Sequence, residues 1–409
     1  MPGGVDRNAR ARHAAAVTLL SIAEAQARLL GSFRPLAVET APLRAAAGRW
    51  AAADVLALRT QPAADLSAMD GYAIRFADLP GPWRVAGESA AGRPFAGAVG
   101  PGEAARIFTG AALPAGADTV LVQEEAARDG ETLRLTGEGP PHRGSSVRPH
   151  GLDFRQGDLL ITAGERLTPA RIALAASAGH GTLPVRARVR VAMAATGDEL
   201  VEPGVESDPA LLPEANRAML TAQLADLPVE LIDLGILPDD LGTLRDALAA
   251  LDADLLVTSG GASVGDHDLI RPALAAAGGT VDFWRIALRP GKPMLAGRLG
   301  RAAVLGLPGN PVSAFVTAML FVRPLIAHLA GAADPLPRTL EGVLGEGLPA
   351  NPGRTEYLRG VEQGGRLYVA PVQDSSMLRT LAHATCLILR PAGAPAADTG
   401  DSAEFLDIA

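Results

Sequence analysis

The sequence predicts a multidomain protein of the α/β plus β class. A central, mostly parallel α/β domain is accompanied by an N-terminal β domain, a mixed linker domain and a C-terminal β domain. Between residues 186 and 330, apolar segments alternate with helical segments, a pattern typical of βαβ units and a parallel sheet. On both sides of this region, Gly and Pro recur between short apolar stretches, which is typical of small β domains.

The first half of the chain predicts two of these domains. After a flexible tail over 1–20, Ser21 and Glu24 have the spacing of a capping box, which predicts a helix to about Leu30. Residues 56–144 lose the helical period and form the N-terminal β domain. Residues 145–185 contain a second helix, with Thr168 as its cap and a proline at its first position. We expect 21–55 and 145–185 to form one linker domain.

The second half predicts the central and C-terminal domains. Apolar segments at 189–194, 229–234 and 254–258 alternate with helical segments near 214–226, 240–251 and 268–277. Further apolar segments at 293–296 and 302–305 extend the sheet, and Asn310 caps a helix towards Leu329. The stretch 331–335 reads as a boundary. The α/β domain is therefore expected over 186–330 and a β domain over 331–409.

Composition narrows the function classes. The 409 residues include 37 basic and 45 acidic ones, for a net charge of −8, which argues against a nucleic-acid binder because phosphates need a basic face. The single cysteine, Cys386, excludes disulfides within the chain and cysteine-cluster metal sites, and its apolar segment predicts a buried strand thiol. No apolar run reaches the roughly 18 residues of a membrane span. We expect a soluble cytoplasmic protein that binds neither nucleic acid nor membranes.

Acidic loops follow three of the predicted strands of the α/β domain. These loops are 196–200, which contains Glu199, then Asp239–Asp240, and 259–268, which ends in Asp268. Because ligands bind outside the carboxyl ends of parallel strands, the carboxylates are expected in one cleft. Oxygen ligands shared with phosphate suit Mg²⁺. The alternative is that each acid only caps the helix that follows it.

The same edge of the sheet carries features that bind anions. The Gly-rich segment 259–263 can turn its amides inward, and 306–313 delivers a helix N-terminus whose free N–H groups favour phosphate. Between them, 289–293 adds cations on a stiff loop. Two such loops and these cations, facing acids that can hold a metal, predict a phosphorylated substrate.

Two further motifs can be interpreted without a catalytic role. Residues 261–265 match the G-x-S-x-G nucleophile elbow, but His267, His328 and His383 are poorly placed to complete a hydrolase triad. In the N-terminal β domain, Asp70–Gly71 reads by spacing alone as a hairpin turn. A functional alternative is that this turn presents Asp70 at a domain edge, within reach of a neighbouring site.

Five segments in order make the chain resemble one family. It resembles the bacterial molybdopterin molybdenumtransferases of the MoeA family, and the corresponding domain of eukaryotic gephyrin, from about residue 21 onwards. The segments that carry the resemblance are 67–73, 196–200, 259–265, 290–293 and 306–313. The resemblance implies a molybdopterin-binding α/β domain and Mg²⁺-dependent insertion of molybdate into adenylylated molybdopterin, with release of AMP. It also implies a homodimer whose clefts combine both subunits.

The resemblance implies a role for each matching residue. It assigns catalysis to Asp70, Glu199, Asp239, Asp268 and Lys292, and metal binding to Glu199, Asp239 and Asp268. The substrate-binding set is Thr109, Asn216, Ser259, Gly260, Gly261, Ser263, Arg285, Arg289, Pro308, Gly309, Asn310, Ser313, Arg359 and Ser375. Asp70 and Thr109 are expected to reach the cleft of the partner subunit. Expected partners include the adenylyltransferase of the preceding step and apo-molybdoenzymes.

Three departures qualify the resemblance. Arg285 and Arg289 stand where lysines are usual, so a forked guanidinium replaces a compact ammonium. Glu214 stands where an aspartate is expected, which leaves it in doubt as a functional match. Of the 37 basic residues only Lys292 is a lysine. Nucleotide composition can account for the 36 arginines, whereas the position of the one lysine at the anion-binding edge is consistent with a need for a compact ammonium there. The alternative function is a non-catalytic molybdopterin-binding scaffold of the gephyrin type.

Overall fold

In the first half of the chain, a block of β-strands is inserted between two linker segments that pair with each other. The computed structural model describes residues 19–205, 208–260, 269–291 and 293–409. Helices of the first half are α1 (Ile22–Gly31), α2 (Leu43–Ala46) and α3 (Pro169–Ser177). Its strands are β1 (Val38–Pro42), β2 (Val55–Leu56), β3 (Leu66–Ser67), β4 (Gly71–Ile74), β5 (Trp83–Ser89), β6 (Glu103–Ile107), β7 (Thr119–Val122), β8 (Ala126–Asp129), β9 (Thr132–Leu135), β10 (Val147–Arg148), β11 (Leu159–Ile161) and β12 (Thr182–Arg186).

Three antiparallel strand pairs join the outgoing and returning parts of the linker region. They are β1 with β12, β2 with β11, and β3 with β10. The predicted capping box of α1 is confirmed, since Glu24 N donates to Ser21 Oγ and Ser21 N donates to Glu24 Oε2. Thr168 caps α3 as predicted, accepting from Arg171 N. Segments far apart in sequence are therefore neighbours here, while the predicted domain limits stay a prediction.

The inserted strands β4 to β9 form a six-stranded sheet in the order β7-β4-β6-β5-β9-β8. Its neighbours are antiparallel except for the parallel pair β5 and β6. Because side chains alternate between the faces of a strand, the sheet buries two apolar clusters. Trp83 and Leu121 lie in one cluster, and Ile107 and Val120 in the other.

The central region contains a sheet with helices on both faces. Its helices are α4 (Asn216–Gln223), α5 (Leu241–Ala249), α6 (Ile270–Ala276), α7 (Pro311–Thr317) and α8 (Arg323–Leu329), the last two joined by a π-helical turn over Ala318–Val322. Its strands are β13 (Val189–Thr196), β14 (Leu200–Val201), β15 (Leu212–Pro213), β16 (Val229–Leu237), β17 (Leu255–Ser259), β18 (Thr280–Arg285), β19 (Leu288–Arg289), β20 (Pro293–Leu299) and β21 (Ala302–Leu307).

The main sheet of this region has the order β16-β13-β17-β21-β20-β18. The first four strands are parallel, whereas β20 and β18 are antiparallel to their neighbours. The predicted mostly parallel sheet is confirmed, with two antiparallel strands at one edge. Leu256 and Val304 face α5 and α6 on one side, and Val257 and Leu305 face α4, α7 and α8 on the other.

The continuous helical segment Pro311–Leu329 is apolar enough to cross a membrane by length and composition, with a mean hydropathy of 1.7. However, 78% of that stretch is buried inside the protein. Val316, Phe321 and Ile326 pack in the main apolar cluster of the central region. The segment is therefore a core helix of this fold.

The last part of the chain closes into a small barrel. It contains β22 (Leu340–Leu344), β23 (Thr355–Gln363), β24 (Arg366–Val369), α9 (Leu378–Ala382), β25 (Cys386–Arg390) and β26 (Ser402–Asp407). The sheet order β23-β24-β22-β26-β25 is closed by pairing of β25 with β23. Cys386 lies in the barrel core, as predicted, and burial raises the pKa of its thiol to about 11. β19 of the central region joins the barrel beside β23.

Candidate active site

A cleft of about 770 Å³ opens at the carboxyl ends of the parallel strands β13, β17 and β21. Loops that are far apart in sequence meet there because parallel strands place their carboxyl ends at one edge. Nine of the predicted site residues line it, namely Glu199, Asn216, Asp239, Ser259, Gly260, Pro308, Gly309, Asn310 and Ser313. Gly291 also lines it. The cleft predicted from the strand-end loops is therefore present.

The turn after β17 brings the backbone close to the end of β13. Gly260 has a φ of +91°, and a Cβ placed on it would lie 2.5 Å from the carbonyl oxygen of Thr196. Its N–H donates to the carbonyl of Leu307 at 3.2 Å. Only glycine combines this conformation with so close an approach. Gly260 thus holds the ends of β13, β17 and β21 together at the floor of the cleft.

The loop before α7 lines the cleft and contacts the C-terminal region. Asn310 occupies the predicted cap position, but its side chain makes no capping bond; its Nδ2 instead donates to Ser375 Oγ at 3.0 Å. The N–H of Val312 donates to the carbonyl of Ser375 at 3.1 Å. Ser375 therefore lies against this loop, while the next residue, Ser376, lines the cleft.

The predicted acidic residues have two different positions: some line the cleft and one caps a helix. Glu199 and Asp239 line the cleft, and Asp239 N donates to Asp198 Oδ1 at 3.1 Å. Asp240, by contrast, caps α5: the N–H and the hydroxyl of Thr243 donate to its carboxylate and lower its pKa. The capping alternative thus describes Asp240. Within the described ranges, no three His, Cys, Asp or Glu side chains are grouped to hold a metal ion.

Among the described residues, the predicted cations Arg285, Arg289 and Arg359 are absent from the lining of the cleft. Arg289 Nη1 forms an ion pair with Glu356 Oε1 at 2.8 Å, and Arg285 ends β18. Arg359 on β23 is 1% exposed, and burial lowers the pKa of its guanidinium. Its Nη1 donates to the carbonyl of Met377 at 3.3 Å, so it supports the segment that precedes α9.

Four predicted residues lie outside the described part of the chain. They are Gly261, Ser263, Asp268 and Lys292. The G-x-S-x-G segment falls in the same gap between 260 and 269. Their assigned roles stay predictions.

Asp70 and Thr109 form a pair in the N-terminal β region. Asp70 Oδ1 accepts from the N–H of Thr109 at 2.7 Å and from its hydroxyl at 2.8 Å. These two bonds lower the pKa of the Asp70 carboxyl. Among the residues described, the lining of the cleft in the same chain includes neither member of the pair.

Sequence reasoning missed several residues that line the cleft. Thr196, Leu212, Ser376 and Leu378 belong to the lining. Thr196 ends β13 next to a predicted loop, so its position in the chain was a usable signal. Leu378 arrives through packing of the C-terminal region on α7, and local sequence carries no signal of that packing.

Comparisons with known proteins agree with this architecture. Three family models match in order: the MoeA N-terminal region (domains I and II) at 20–179, the probable molybdopterin binding domain at 192–328, and the MoeA C-terminal region (domain IV) at 341–408. A molybdopterin molybdenumtransferase of Haemophilus influenzae is 36% identical over 382 residues, 91% of this chain and 94% of the relative. Molybdopterin molybdenumtransferase 2 of Mycobacterium tuberculosis is 34% identical over 88% of this chain and 92% of its own length.

Solved structures give the same result. A crystal structure of the molybdopterin biosynthesis MoeA protein of Pyrococcus horikoshii OT3 has a TM-score of 0.81 and 26% identity, and covers 96% of this chain and 100% of its own. A second structure of the MoeA protein from this organism has a TM-score of 0.78 and 28% identity, with 95% and 99% covered. The predicted multidomain fold is confirmed, and the chain belongs to the MoeA family.

Proposed function

We propose that this protein is a molybdopterin molybdenumtransferase of molybdenum cofactor biosynthesis. It inserts molybdate into the dithiolene of adenylylated molybdopterin and releases AMP. The observation that carries this proposal is the cleft, in which nine residues assigned by resemblance meet although they come from five separate segments. The names of the relatives in Haemophilus influenzae and Mycobacterium tuberculosis support the same reaction.

The chemistry of the cleft suits a phosphorylated substrate. A volume of about 770 Å³ lies within the range of small-molecule sites. In this proposal, the backbone N–H groups of Gly309 and Asn310, in the loop before α7, provide donors for phosphate and molybdate oxygens. Glu199 and Asp239 provide carboxylates in the same cleft. Binding and charge stabilisation supply most of the catalysis in this proposal, without a covalent protein intermediate.

The donor set fits Mg²⁺. Mg²⁺ prefers oxygen ligands and is usually held by one or two carboxylates together with substrate phosphates. Glu199 and Asp239 offer two carboxylates in one cleft, and we assign Asp268 as a third. When bound, Mg²⁺ supplies neutralisation of the phosphoanhydride charge. The residues of the chain position the substrate around it.

We assign anion binding to cationic and hydroxyl groups around the cleft. Lys292, Arg285 and Arg289 serve the pyrophosphate and molybdate oxygens in this proposal. Arg359 and Ser375 contribute from the C-terminal region, where Ser375 contacts the loop before α7 through Asn310. We also assign Gly261 and Ser263 to substrate binding, as the resemblance implies.

We further propose a cytoplasmic homodimer in which Asp70 and Thr109 complete the cleft of the partner subunit. Two observations support it. The Asp70–Thr109 pair is exposed and outside the cleft lining of its own chain. Leu56 and Leu159 face each other across β2 and β11 and are both exposed, as is Leu58, and exposed apolar patches mark interaction surfaces. The adenylyltransferase of the preceding step and apo-molybdoenzymes are the proposed partners in the pathway.

The test is a reconstituted reaction. Purified protein, Mg²⁺, molybdate and adenylylated molybdopterin are expected to release AMP and to activate an apo-molybdoenzyme. Glu199→Gln and Asp239→Asn should each lower AMP release by about 100-fold, because stabilisation of developing charge is worth factors of this size. Asp240→Asn is the matched control: it keeps the cap of α5 and should retain wild-type turnover.

Two outcomes contradict the proposal. Tight binding of adenylylated molybdopterin by the wild-type protein without AMP release indicates a scaffold. Unchanged AMP release in Glu199→Gln and Asp239→Asn rules out their catalytic role.

A further inference from the structure

A buried arginine next to the cleft is surrounded by carboxylates. Arg217 lies in the first turn of α4 and is 7% exposed. Its Nη2 contacts Glu202 Oε1 at 2.6 Å, and its Nη1 contacts Asp233 Oδ1 at 2.6 Å. Its Nε contacts Glu214 Oε2 at 3.2 Å. The guanidinium thus joins the segment after β14, the start of α4 and strand β16.

Of these three carboxylates, Glu214 is the buried one, with 3% exposure. Its Oε1 accepts from the N–H of Asn216 at 2.8 Å, and both of its oxygens lie 3.1 Å from the N–H of Arg217. A carboxylate at a helix N-terminus is stabilised by these free N–H groups. A buried carboxylate also needs a paired cation, which Arg217 supplies. Arg217 and Glu214 therefore fix the first turn of α4.

That turn carries Asn216, whose side chain spans two loops of the cleft. Asn216 Nδ2 donates to Ser259 Oγ at 2.6 Å and to the carbonyl of Gly309 at 2.7 Å. A backbone carbonyl can only accept, so the Gly309 contact sets which atom of the amide is nitrogen. Ser259 Oγ then accepts from Asn216, which leaves its own proton available to donate. Asn216 sets both the spacing of the two loops and the orientation of the Ser259 hydroxyl.

We infer that Arg217 is a positioning residue of the cleft. Arg217 fixes Glu214, which in turn fixes Asn216. Asn216 then sets the relative positions of Ser259 and Gly309. Arg217 itself is absent from the lining of the cleft in the described structure, so it acts through these residues. The consequence for turnover rests on the proposed function, whereas the consequence for loop order does not.

The experiment compares Arg217→Ala and Arg217→Lys with Arg323→Ala. Arg323 pairs with Asp226 Oδ1 and Oδ2 at 2.7 and 2.9 Å, near the other end of α4. Both substitutions to alanine remove an arginine that ties α4 to its surroundings, but only one of these arginines is linked to the cleft. The measurements are amide hydrogen exchange over 256–260 and 307–310, and the steady-state kcat and KM for AMP release.

Arg217→Ala should speed exchange in both segments by at least about tenfold relative to Arg323→Ala, because local opening becomes easier there. It should also lower kcat/KM by about 10- to 100-fold, since misplacing binding groups by an ångström costs this much. KM carries the larger share, because the displaced groups bind substrate. Arg217→Lys should recover part of both effects, since an ammonium keeps the charge but loses the fork.

Equal exchange of the two segments in Arg217→Ala and Arg323→Ala would falsify the inference. If Arg217→Ala does not fold, Glu214→Gln takes its place, because it weakens the same link while leaving the arginine paired with Glu202 and Asp233. Faster exchange in a protein whose wild-type form releases no AMP supports the positioning role and contradicts the proposed function. The two ideas therefore fail separately.

Discussion

At the scale of single residues, the backbone at Gly260 requires a glycine. Its φ of +91° and the 2.5 Å approach of an added Cβ to the Thr196 carbonyl leave no room for a side chain. Gly260→Ala should therefore lower the free energy of unfolding by about 1–3 kcal/mol, the cost of a strained backbone conformation. The measurement is urea denaturation of the purified variant beside the wild-type protein.

Gly309→Ala is the matched control for this prediction. The atom nearest to its added Cβ is Gly260 Cα at 3.8 Å, which is ordinary contact distance. We expect its free energy of unfolding to stay within about 0.5 kcal/mol of wild type. An equal loss in both glycine variants would contradict the argument from φ and close approach.

Local sequence predicts residues whose partners are nearby in the chain. The Ser21–Glu24 capping box and the Thr168 cap were recognisable because each bond spans three residues. Two contacts of Arg217 were not recognisable in this way, because Glu202 lies 15 residues before it and Asp233 lies 16 residues after it. The sequence left Glu214 in doubt as a functional match, and the structure shows that it is an ion-pair partner of Arg217.

At the scale of elements, the sheet of the central region illustrates what alternation can predict. The alternation of apolar and helical segments correctly predicted the parallel strands, because consecutive parallel strands are connected by a crossover that is usually a helix. Strands β20 and β21 are joined by only Gly300 and Arg301, and so short a connection permits only an antiparallel pair. The antiparallel edge could therefore have been predicted from connection length rather than from composition.

The core helix Pro311–Leu329 depends on a contact from another element. Pro324 has no N–H, so it cannot donate to the carbonyl of Leu320 in the ordinary i to i−4 pattern. The side chain of Gln26 on α1 donates to that carbonyl through Nε2 at 2.8 Å. Gln26 is itself buried. This bond fastens α1 to the π-helical turn between α7 and α8.

Gln26→Ala should lower the free energy of unfolding by about 1–3 kcal/mol, because a buried carbonyl loses a donor. Arg28→Ala on the exposed face of the same helix is the control, and we expect it within about 0.5 kcal/mol of wild type. Urea denaturation of both variants measures the difference. Equal stability of the Gln26→Ala and Arg28→Ala proteins would show that this bond contributes nothing to holding α1.

At the scale of the whole molecule, the cleft combines segments with very different sequence signals. The loops at 196–200, 259–260 and 306–313 follow strands, so their meeting at one edge was predictable from topology. Ser376 and Leu378 reach the cleft because the barrel pairs with β19 and because α9 packs on α7. Such docking between regions depends on the shape of both surfaces, which neither periodicity nor motif spacing encodes.

The position of Asp70 makes the proposed dimer testable by mixing defects. If each cleft takes Asp70 from one subunit and Glu199 from the other, Asp70→Asn and Glu199→Gln homodimers are both impaired. A heterodimer of the two, isolated with two different affinity tags, carries both defects in one cleft and none in the other. By two-fold symmetry it should have about half of the wild-type AMP release.

The control is a heterodimer of Glu199→Gln with Asp239→Asn. Both residues line the cleft of their own chain, so each cleft keeps one defect and AMP release should stay at the level of the homodimeric variants. Recovery in the first heterodimer but not in the second requires that Asp70 acts across the subunit boundary. If the wild-type protein is active but AMP release does not recover in the first heterodimer, Asp70 acts in the cleft of its own chain. That result would contradict the proposal of a shared cleft.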